Sequence, residues 1–289
     1  MGAAADACTP HASAAVTAGQ IRHAAVAGSF YPSDPEKLRA VVEDALRAAA
    51  GSADSAAPAP KAIVAPHAGY VYSGPVAASA YARLAPLRGR IKRAVVLGPA
   101  HRTPLTAVGA SSADAFETPL GLLPVDTALR DELLGAGLVV VADEDHAQEH
   151  SVEVQLPFLQ VTLGDVRVLP LVVGDVPASA VAAVIQAAWD RPATVVLVST
   201  DLSHHHDHRT AQQLDRRTAQ AVVGKQPEAI HPDDACGVFP LRGLLLAARN
   251  RPLDVGLLDL RTSADTGGRD DRVVGYGAFV LHAPAGEEP

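Results

Sequence analysis

The chain is poor in aromatic residues, in cysteine and in basic charge. It has 5 Phe, 5 Tyr and 1 Trp in 289 residues, so Ala, Val and Leu must fill most of any core. The formal net charge of −8 argues against nucleic acid as the main partner, because phosphate binding needs a basic face. With only 2 Cys, a disulfide scaffold is not expected. Cys236 is therefore predicted to be a single thiol in a reducing compartment.

Long apolar runs are also missing. No stretch approaches the ~20 residues of a membrane-spanning helix, and the N-terminus lacks a basic region followed by an apolar one. We therefore expect no membrane partner and a cytoplasmic location. Residues 1–24 are rich in small residues without periodicity and are predicted to be a disordered tail. Residues 25–283 are predicted to form a single domain, followed by a C-terminal tail at 284–289.

Short β-branched runs alternate with helical segments through this domain, and a Gly/Pro-rich loop follows most runs. This alternation predicts an α/β fold, a three-layer αβα sandwich around a mixed, mostly parallel central sheet. Strands are expected near 61–66, 93–97, 138–141, 167–173, 194–199, 254–260 and 272–281. Helices are expected near 35–50, 74–84, 125–134, 151–163, 177–190, 209–223 and 240–250.

Three of the apolar runs lead into a histidine, namely His67, His101 and His204. In an open α/β sheet, functional groups collect at the carboxyl ends of the strands. Three imidazoles delivered to one edge therefore predict a shared metal or acid–base site. Two imidazoles with the Cys236 thiolate would suit Fe(II), Cu(I) or Zn(II) and leave open positions. From spacing alone, Cys236 could equally be a nucleophile or a plain buried residue.

Two further polar clusters have competing interpretations. The segment 201–208 could be a metal tract or the solvated start of a helix capped by Ser203 or Asp207. We expect it to divide, with Asp201 and His204 facing the site and its other histidines facing solvent. Those other histidines are His205, His206 and His208.

The second cluster, Glu149-His150-Ser151-Val152-Glu153, precedes an apolar run. Ser151 followed by an acid is typical of a helix start. Two acids that flank a histidine also suit residues that orient metal-bound imidazoles. Glu149, His150 and Glu153 are therefore candidates for that supporting role.

Six short motifs stand in a fixed order along the chain. They are Ala27-Gly-Ser-Phe-Tyr-Pro32, Pro66-His67-Ala-Gly-Tyr70, Gly98-Pro-Ala-His101, Glu149-His-Ser-Val-Glu153, Ser199-Thr-Asp-Leu-Ser-His204 and Cys236-Gly237. Their order and spacing are those of the Memo family, which the chain resembles over about residues 25–283. The family in turn resembles class III extradiol ring-cleaving dioxygenases in fold, and its bacterial members are protein B of the AmmeMemoRadiSam system.

The resemblance implies a ligand set and catalytic residues. The dioxygenases hold Fe(II) with two histidines and a carboxylate, and Memo proteins have a cysteine at the third position. The matching residues here are His67, His101 and Cys236. Asp201 and His204 match residues that line the same pocket, and His204 corresponds to the general acid–base histidine. One departure is Val238-Phe239-Pro240, where animal members commonly have Arg-His-Pro, so a role that needs that basic pair is not expected here.

The leading hypothesis is a mononuclear iron or copper oxidoreductase that acts on a small-molecule substrate or dioxygen. Fe(II) ranks first, Cu(I) second and Zn(II) third, although a thiolate in place of a carboxylate shifts the preference toward Cu(I). His204 would move protons beside Asp201. The family association also implies a radical-SAM protein as a partner.

Two other hypotheses stay open at this level. The chain could be a non-catalytic protein that handles metal or binds a peptide or other ligand, as the adaptor role described for animal Memo proteins implies. It could also be a zinc hydrolase with His204 as its base.

Overall fold

The computed structural model of the chain describes residues 19–50 and 58–284. Residues 1–18 and 285–289, which make up most of the two predicted tails, lie outside this description. The described chain forms structure before the predicted boundary at residue 25, because Ile21–Arg22 already form a strand that pairs with Ala115 and Phe116. The alternating pattern could not show this strand, since its partner lies more than 90 residues further along the chain.

Eight α-helices lie in the described residues, and their positions follow local signals in the sequence. Pro35 begins the first helix, as its fixed φ angle favours. The second helix begins at Tyr70, four residues before the predicted start, because Pro75 lies inside it instead of opening it. None of these helices has the length and apolar character needed to cross a bilayer. The helices are α1 (Pro35–Ala50), α2 (Tyr70–Tyr81), α3 (Thr127–Gly135), α4 (Asp143–Ala147), α5 (Leu156–Leu163), α6 (Ala178–Trp189), α7 (His208–Val223) and α8 (Val238–Arg249).

Twelve strands lie in the same residues. Their bounds agree with the prediction for the long buried strands, but five short ones were not predicted. Three of these five lie between the strand predicted at 93–97 and the helix predicted at 125–134, where no strand was expected. The strands are β1 (Ile21–Arg22), β2 (Pro60–Ala65), β3 (Arg93–Pro99), β4 (Val108–Ala110), β5 (Ala115–Thr118), β6 (Gly121–Pro124), β7 (Val140–Val141), β8 (Arg167–Val173), β9 (Thr194–Ser199), β10 (His204–His206), β11 (Asp254–Thr262) and β12 (Val273–His282).

The large sheet is mixed, with its parallel strands at the centre. Its order is β10-β12-β2-β9-β3-β8-β4-β7, and β11 pairs with β12. β2, β9, β3 and β8 are parallel neighbours, while the pairings of β12 and the β4–β8 pairing are antiparallel. The carboxyl ends of β2, β9 and β3 therefore lie side by side at one edge, which is the arrangement that the histidine pattern predicted.

Helices cover both faces of this sheet, and the predicted α/β sandwich is confirmed. α6 and α8 pack together over β9 and β3 on one face, while α1, α2 and α5 pack together on the other, with α2 against β2 and β12. The core is aliphatic, as the composition requires: the central strands consist largely of buried Ala, Val, Leu and Ile residues. This packing holds the strand ends rigidly beneath the loops that carry the polar residues.

Asp126 links two elements at the edge of the sheet opposite to those loops. Its side chain accepts a hydrogen bond of 3.1 Å from Leu129 N at the start of α3 and also pairs with Arg93 Nε at the start of β3. The carboxylate is 2% exposed, so its loss leaves the Arg93 charge unpaired near the core.

We predict that Asp126→Ala lowers the free energy of unfolding by about 2–4 kcal/mol, because it removes both a helix cap and a buried ion-pair partner. Asp126→Asn keeps the cap acceptor and should cost less. Urea denaturation measures both. Asp131→Asn, whose carboxylate is 64% exposed, is the control and should stay within about 0.5 kcal/mol of wild type. Equal effects of the three substitutions would contradict the prediction.

Candidate metal centre

Two imidazoles meet at the carboxyl edge of the parallel strands. His67 follows β2 by two residues and His101 follows β3 by two residues, with β9 between these strands in the sheet. The centroids of the two rings are 5.2 Å apart and their planes are nearly perpendicular, at 80°. His67 is buried, whereas His101 lies at the exposed rim.

The thiol of Cys236 completes a set of three donors. It approaches from the turn before α8, with Sγ 3.2 Å from His67 Nε2 and 3.3 Å from the donating Asp201 N. Gly237 holds this turn against β9, because a Cβ there would lie 2.6 Å from Thr200 Cβ. The potential ligand atoms of His67, His101 and Cys236 all lie within 4.8 Å of one another. Two imidazole nitrogens and a sulfur at this spacing suit a borderline or soft transition metal.

The hydrogen bonds around Ser199 fix the proton position on His67. Ser199 Oγ donates its single proton to Ser151 O at 2.6 Å and accepts from Gln155 Nε2 at 2.8 Å. Gln155 Nε2 also donates to Pro66 O, which fixes the orientation of the amide. His67 Nδ1, 2.9 Å from Ser199 Oγ, must therefore be the donor in that contact. The Nε2 lone pair of His67 consequently faces Cys236.

Glu149 places the ring proton of His101 on Nδ1, as Ser199 does for His67. Its fully buried carboxylate accepts from His101 Nδ1 at 3.0 Å and from His101 N at 2.6 Å. It also accepts from His150 N and Ser151 N, both at 2.8 Å. Burial acts to raise the pKa of Glu149, but the hydrogen bonds from His101 and His150 outweigh it and hold the pKa far below its usual range. An ionised Glu149 accepts the Nδ1 proton, so His101 also presents a free Nε2.

His150 lies beside this pair of ligands. Its ring stacks on His101 at 4.7 Å and 21°, and its Nδ1 is 3.2 Å from Glu149 Oε1. Its other side contacts Phe30, with the ring centroids 4.5 Å apart. The Glu149 carboxylate therefore hydrogen-bonds to the His101 ring and lies close to the His150 ring that stacks on it. The alternative interpretation of Ser151 as a helix cap is wrong, because its hydroxyl donates to Pro99 O at the end of β3.

Glu153 does not contact His67 or His101, contrary to its predicted role. Its buried carboxylate pairs with Arg22 and accepts from Tyr31 Oη, and it also accepts from Ala25 N at 2.8 Å and Val26 N at 3.0 Å. The acid three residues after His150 therefore anchors the N-terminal segment. The sequence could not show this, because the partners lie more than 120 residues away.

Asp201 contacts the site through the backbone of His67. Its carboxylate accepts from His67 N at 2.7 Å, and burial raises its pKa to about 7 against the opposing backbone hydrogen bonds from His67 and Ala68. Positive charge on His204 would lower the pKa of His67. Burial is the main cause that lowers the pKa of His204, a hydrogen bond with the Leu202 backbone opposes it, and His205 and His101 lower it further.

The rest of the histidine tract divides largely as expected. His205 and His206 are exposed. His208 is half-buried instead, with its ring nitrogens 2.8 Å from Thr262 Oγ1 and 2.8 Å from Gln212 Nε2, so it joins α7 to the end of β11. Asp207 is the cap of α7, through Thr210 N.

Burial keeps His67 and Cys236 neutral while no metal is bound. It lowers the pKa of His67 well below the usual range, and His101 and His150 lower it further. Burial, followed by the charge of Asp201, raises the pKa of the Cys236 thiol to about 12. A metal ion that binds here must therefore displace the thiol proton.

Sequence reasoning missed Ser199, Gln155 and Arg22 as members of this site. Ser199 ends a strand inside one of the quoted motifs, so its position was a usable signal. Gln155 and Arg22 act by hydrogen bonds to distant backbone and side-chain groups, for which local patterns contain no signal.

The chain is similar to known proteins over most of its length. A family model described as "Memo-like protein" matches residues 22–280. A MEMO1 family protein of Methanopyrus kandleri is 36% identical over 281 residues, which covers 90% of this chain and 98% of the relative. One from Saccharolobus solfataricus is 36% identical, with 87% and 96% covered. One from Pyrobaculum arsenaticum is 35% identical, with 91% and 99% covered.

We predict that His67 and His101 both carry their proton on Nδ1 in the metal-free protein at neutral pH. Two-bond ¹H–¹⁵N correlation spectra of ¹⁵N-labelled protein distinguish the two tautomers. Ser199→Ala removes the acceptor of His67 Nδ1, so a population with the proton on Nε2 should appear for His67 alone. His101 is the internal control, and an Nε2 proton on His67 in the wild type would contradict the hydrogen-bond assignment.

Proposed function

The chain belongs to the Memo family, and we propose that it is a mononuclear metal-dependent oxidoreductase that acts on a small molecule. His67, His101 and Cys236 would hold the metal. The observation that carries the proposal is the meeting of two imidazoles and a thiol, whose potential ligand atoms lie within 4.8 Å of one another. Both Nδ1 protons are bound elsewhere, by Ser199 and Glu149, so the imidazoles are already in the ligand tautomer.

The buried charges also favour a cation at this place. Glu149 is fully buried and ionised, and the Arg22 guanidinium nearby is already paired with Glu153. Among the described residues, the Glu149 carboxylate therefore has hydrogen-bond donors but no fixed positive charge of its own. A metal ion on His101 Nε2 would compensate this charge through the imidazole, in the manner of carboxylate–histidine–metal units.

We rank Fe(II) first, Cu(I) second and Zn(II) third as the resident ion. A single sulfur among nitrogen donors is compatible with all three, and it favours Cu(I) more than a carboxylate would. When bound, the metal would supply redox chemistry toward dioxygen or an organic substrate.

The residues of the chain would then orient groups and move protons. Asp201 would hold the backbone of His67 in place, which its 2.7 Å hydrogen bond supports better than a direct part in proton transfer. His204 would be the proton-transferring residue, because it is half-buried, it interacts electrostatically with both metal-binding imidazoles, and its side chain has no carboxylate partner among the described contacts. Phe30 and His150 would form one wall beside the metal.

Elemental analysis tests the metal site. Wild-type protein, purified anaerobically without a His tag and exposed to equimolar Fe(II), Cu(I) and Zn(II), should retain about one redox-active ion per chain. His67→Ala and His101→Ala should abolish retention, since each removes one of only three protein ligands. Cys236→Ser should abolish it or change the retained metal, because it replaces a soft donor by a hard one.

Two exposed histidines provide the matched control. His205→Ala and His206→Ala lie in the same tract as His204, and both should keep the metal content of the wild type. Full metal content in His67→Ala, or equal losses in the control variants, would refute the three-ligand site. In that case the histidines would line the pocket without binding a metal.

A metal-handling protein is the second candidate function, and the Cys236 thiol beside His67 favours it because thiolates hold Cu(I) tightly. Oxygen consumption by the iron- or copper-loaded protein with ascorbate as reductant distinguishes the two. The oxidoreductase should turn over repeatedly, and His204→Gln should slow it by about 10²–10⁴-fold without loss of metal. Stoichiometric metal with no turnover, and no effect of His204→Gln, would favour metal handling.

A further inference from the structure

Arg22 is the one buried guanidinium next to the site within the described ranges 19–50 and 58–284. Its side chain is 6% exposed, and every donor it has is used. Nε and Nη2 donate to His146 O at 3.1 and 2.9 Å, and Nη2 also donates to Glu149 O at 2.8 Å. Nη1 donates to His23 O at 3.1 Å and to the Glu153 carboxylate. All five N–H groups are therefore committed to fixed acceptors.

The contact with Glu149 O bears on the metal site through one peptide group. The carbonyl of Glu149 accepts from Arg22, while the N–H of the same peptide, His150 N, donates to the Glu149 carboxylate at 2.8 Å. The peptide is planar and trans, so a fixed carbonyl direction also fixes the N–H direction. Arg22 thereby helps to determine where the Glu149 carboxylate is held.

That carboxylate in turn sets the position of His101, by accepting from both its Nδ1 and its backbone N. A contiguous series of hydrogen bonds thus runs from Arg22 through the Glu149 peptide to a metal-binding imidazole. At its other end Arg22 is held by Glu153, which is itself bonded to Ala25 N and Val26 N. The N-terminal segment is therefore joined to the site through this side chain.

We infer that Arg22 is a positioning residue of the metal centre, which acts on His101 through the Glu149 peptide and carboxylate. The inference rests on the proposed metal site. The hydrogen bonds of the Arg22 guanidinium go to His23, His146, Glu149 and Glu153, and none of these is one of the three metal donors. Its effect is therefore on the geometry of a ligand, without direct contact with the metal.

Co(II) is the probe for the experiment, because its visible spectrum reports coordination geometry and its sulfur charge-transfer band reports the Cys236 bond. Arg22→Met removes all five donors. Arg22→Lys keeps the charge beside Glu153 but cannot hold Glu149 O and His146 O at the same time, so it tests the inference if Arg22→Met does not fold. Each variant should bind Co(II) about 10–100-fold more weakly than wild type and show an altered visible spectrum.

Arg93→Met is the matched control. Arg93 also pairs with a buried carboxylate, that of Asp126, but at the opposite edge of the sheet. This variant should lose stability while its Co(II) affinity and spectrum stay those of the wild type. All affinities are measured at a temperature at which thermal melts show each variant folded.

A double-mutant cycle with Glu149→Gln tests the route. If Arg22 acts through Glu149, the double variant should bind Co(II) no more weakly than Glu149→Gln alone. If the losses of Co(II) affinity in the two single variants add up in the double variant, Arg22 does not act through Glu149. Wild-type Co(II) affinity and spectrum in both Arg22 variants would overturn the inference as a whole. If the wild-type protein binds no Co(II), the proposed metal site itself is refuted. If the wild type binds Co(II) and the Arg22 substitutions do not change this binding, only the inference about Arg22 is refuted.

Discussion

The buried carboxylate of Glu149 is the constraint on which the geometry of the candidate metal centre depends. It accepts hydrogen bonds from the backbone of three residues and from the Nδ1 atom of His101, and it lies close to that of His150. A carboxylate without solvent needs this many donors to stay ionised. Because the donors come from two loops, the ionised state of Glu149 and the relative position of those loops are mutually dependent.

The hydrogen bonds of Ser199 determine the tautomer of His67, the second histidine of the site. Ser199 has one proton to donate, and its commitment to Ser151 O determines that His67 is the donor toward it. Both imidazoles thus carry their proton on Nδ1, but the acceptors differ. His67 donates to the Ser199 hydroxyl, whose own proton is bound to Ser151 O, and His101 donates to the Glu149 carboxylate. The free lone pair of His67 faces Cys236, and the potential ligand atoms of His67, His101 and Cys236 lie within 4.8 Å of one another.

Family membership and the geometry of the site support different conclusions about this chain. The match to the Memo-like family covers nearly the whole described chain, and the relatives are covered almost to their full lengths. A shared fold does not by itself specify a reaction. The support for metal binding therefore comes from the donor set, from the tautomers and from the uncompensated charge of Glu149.

The sequence by itself determined the α/β class, the bounds of the long buried strands and the identity of the histidines at their carboxyl ends. These features follow from local rules: β-branched runs form buried strands, and parallel strands place their ends at one edge. The pattern around Glu149-His150 also indicated residues that support an imidazole. Only the tertiary structure decided that Glu153 holds Arg22 instead of a ligand, that His208 joins α7 to β11, and that Cys236 lies 3.2 Å from His67. Each of these contacts joins groups far apart in the chain, and hydrogen-bond partners at such separations are selected by packing, for which local periodicity contains no information.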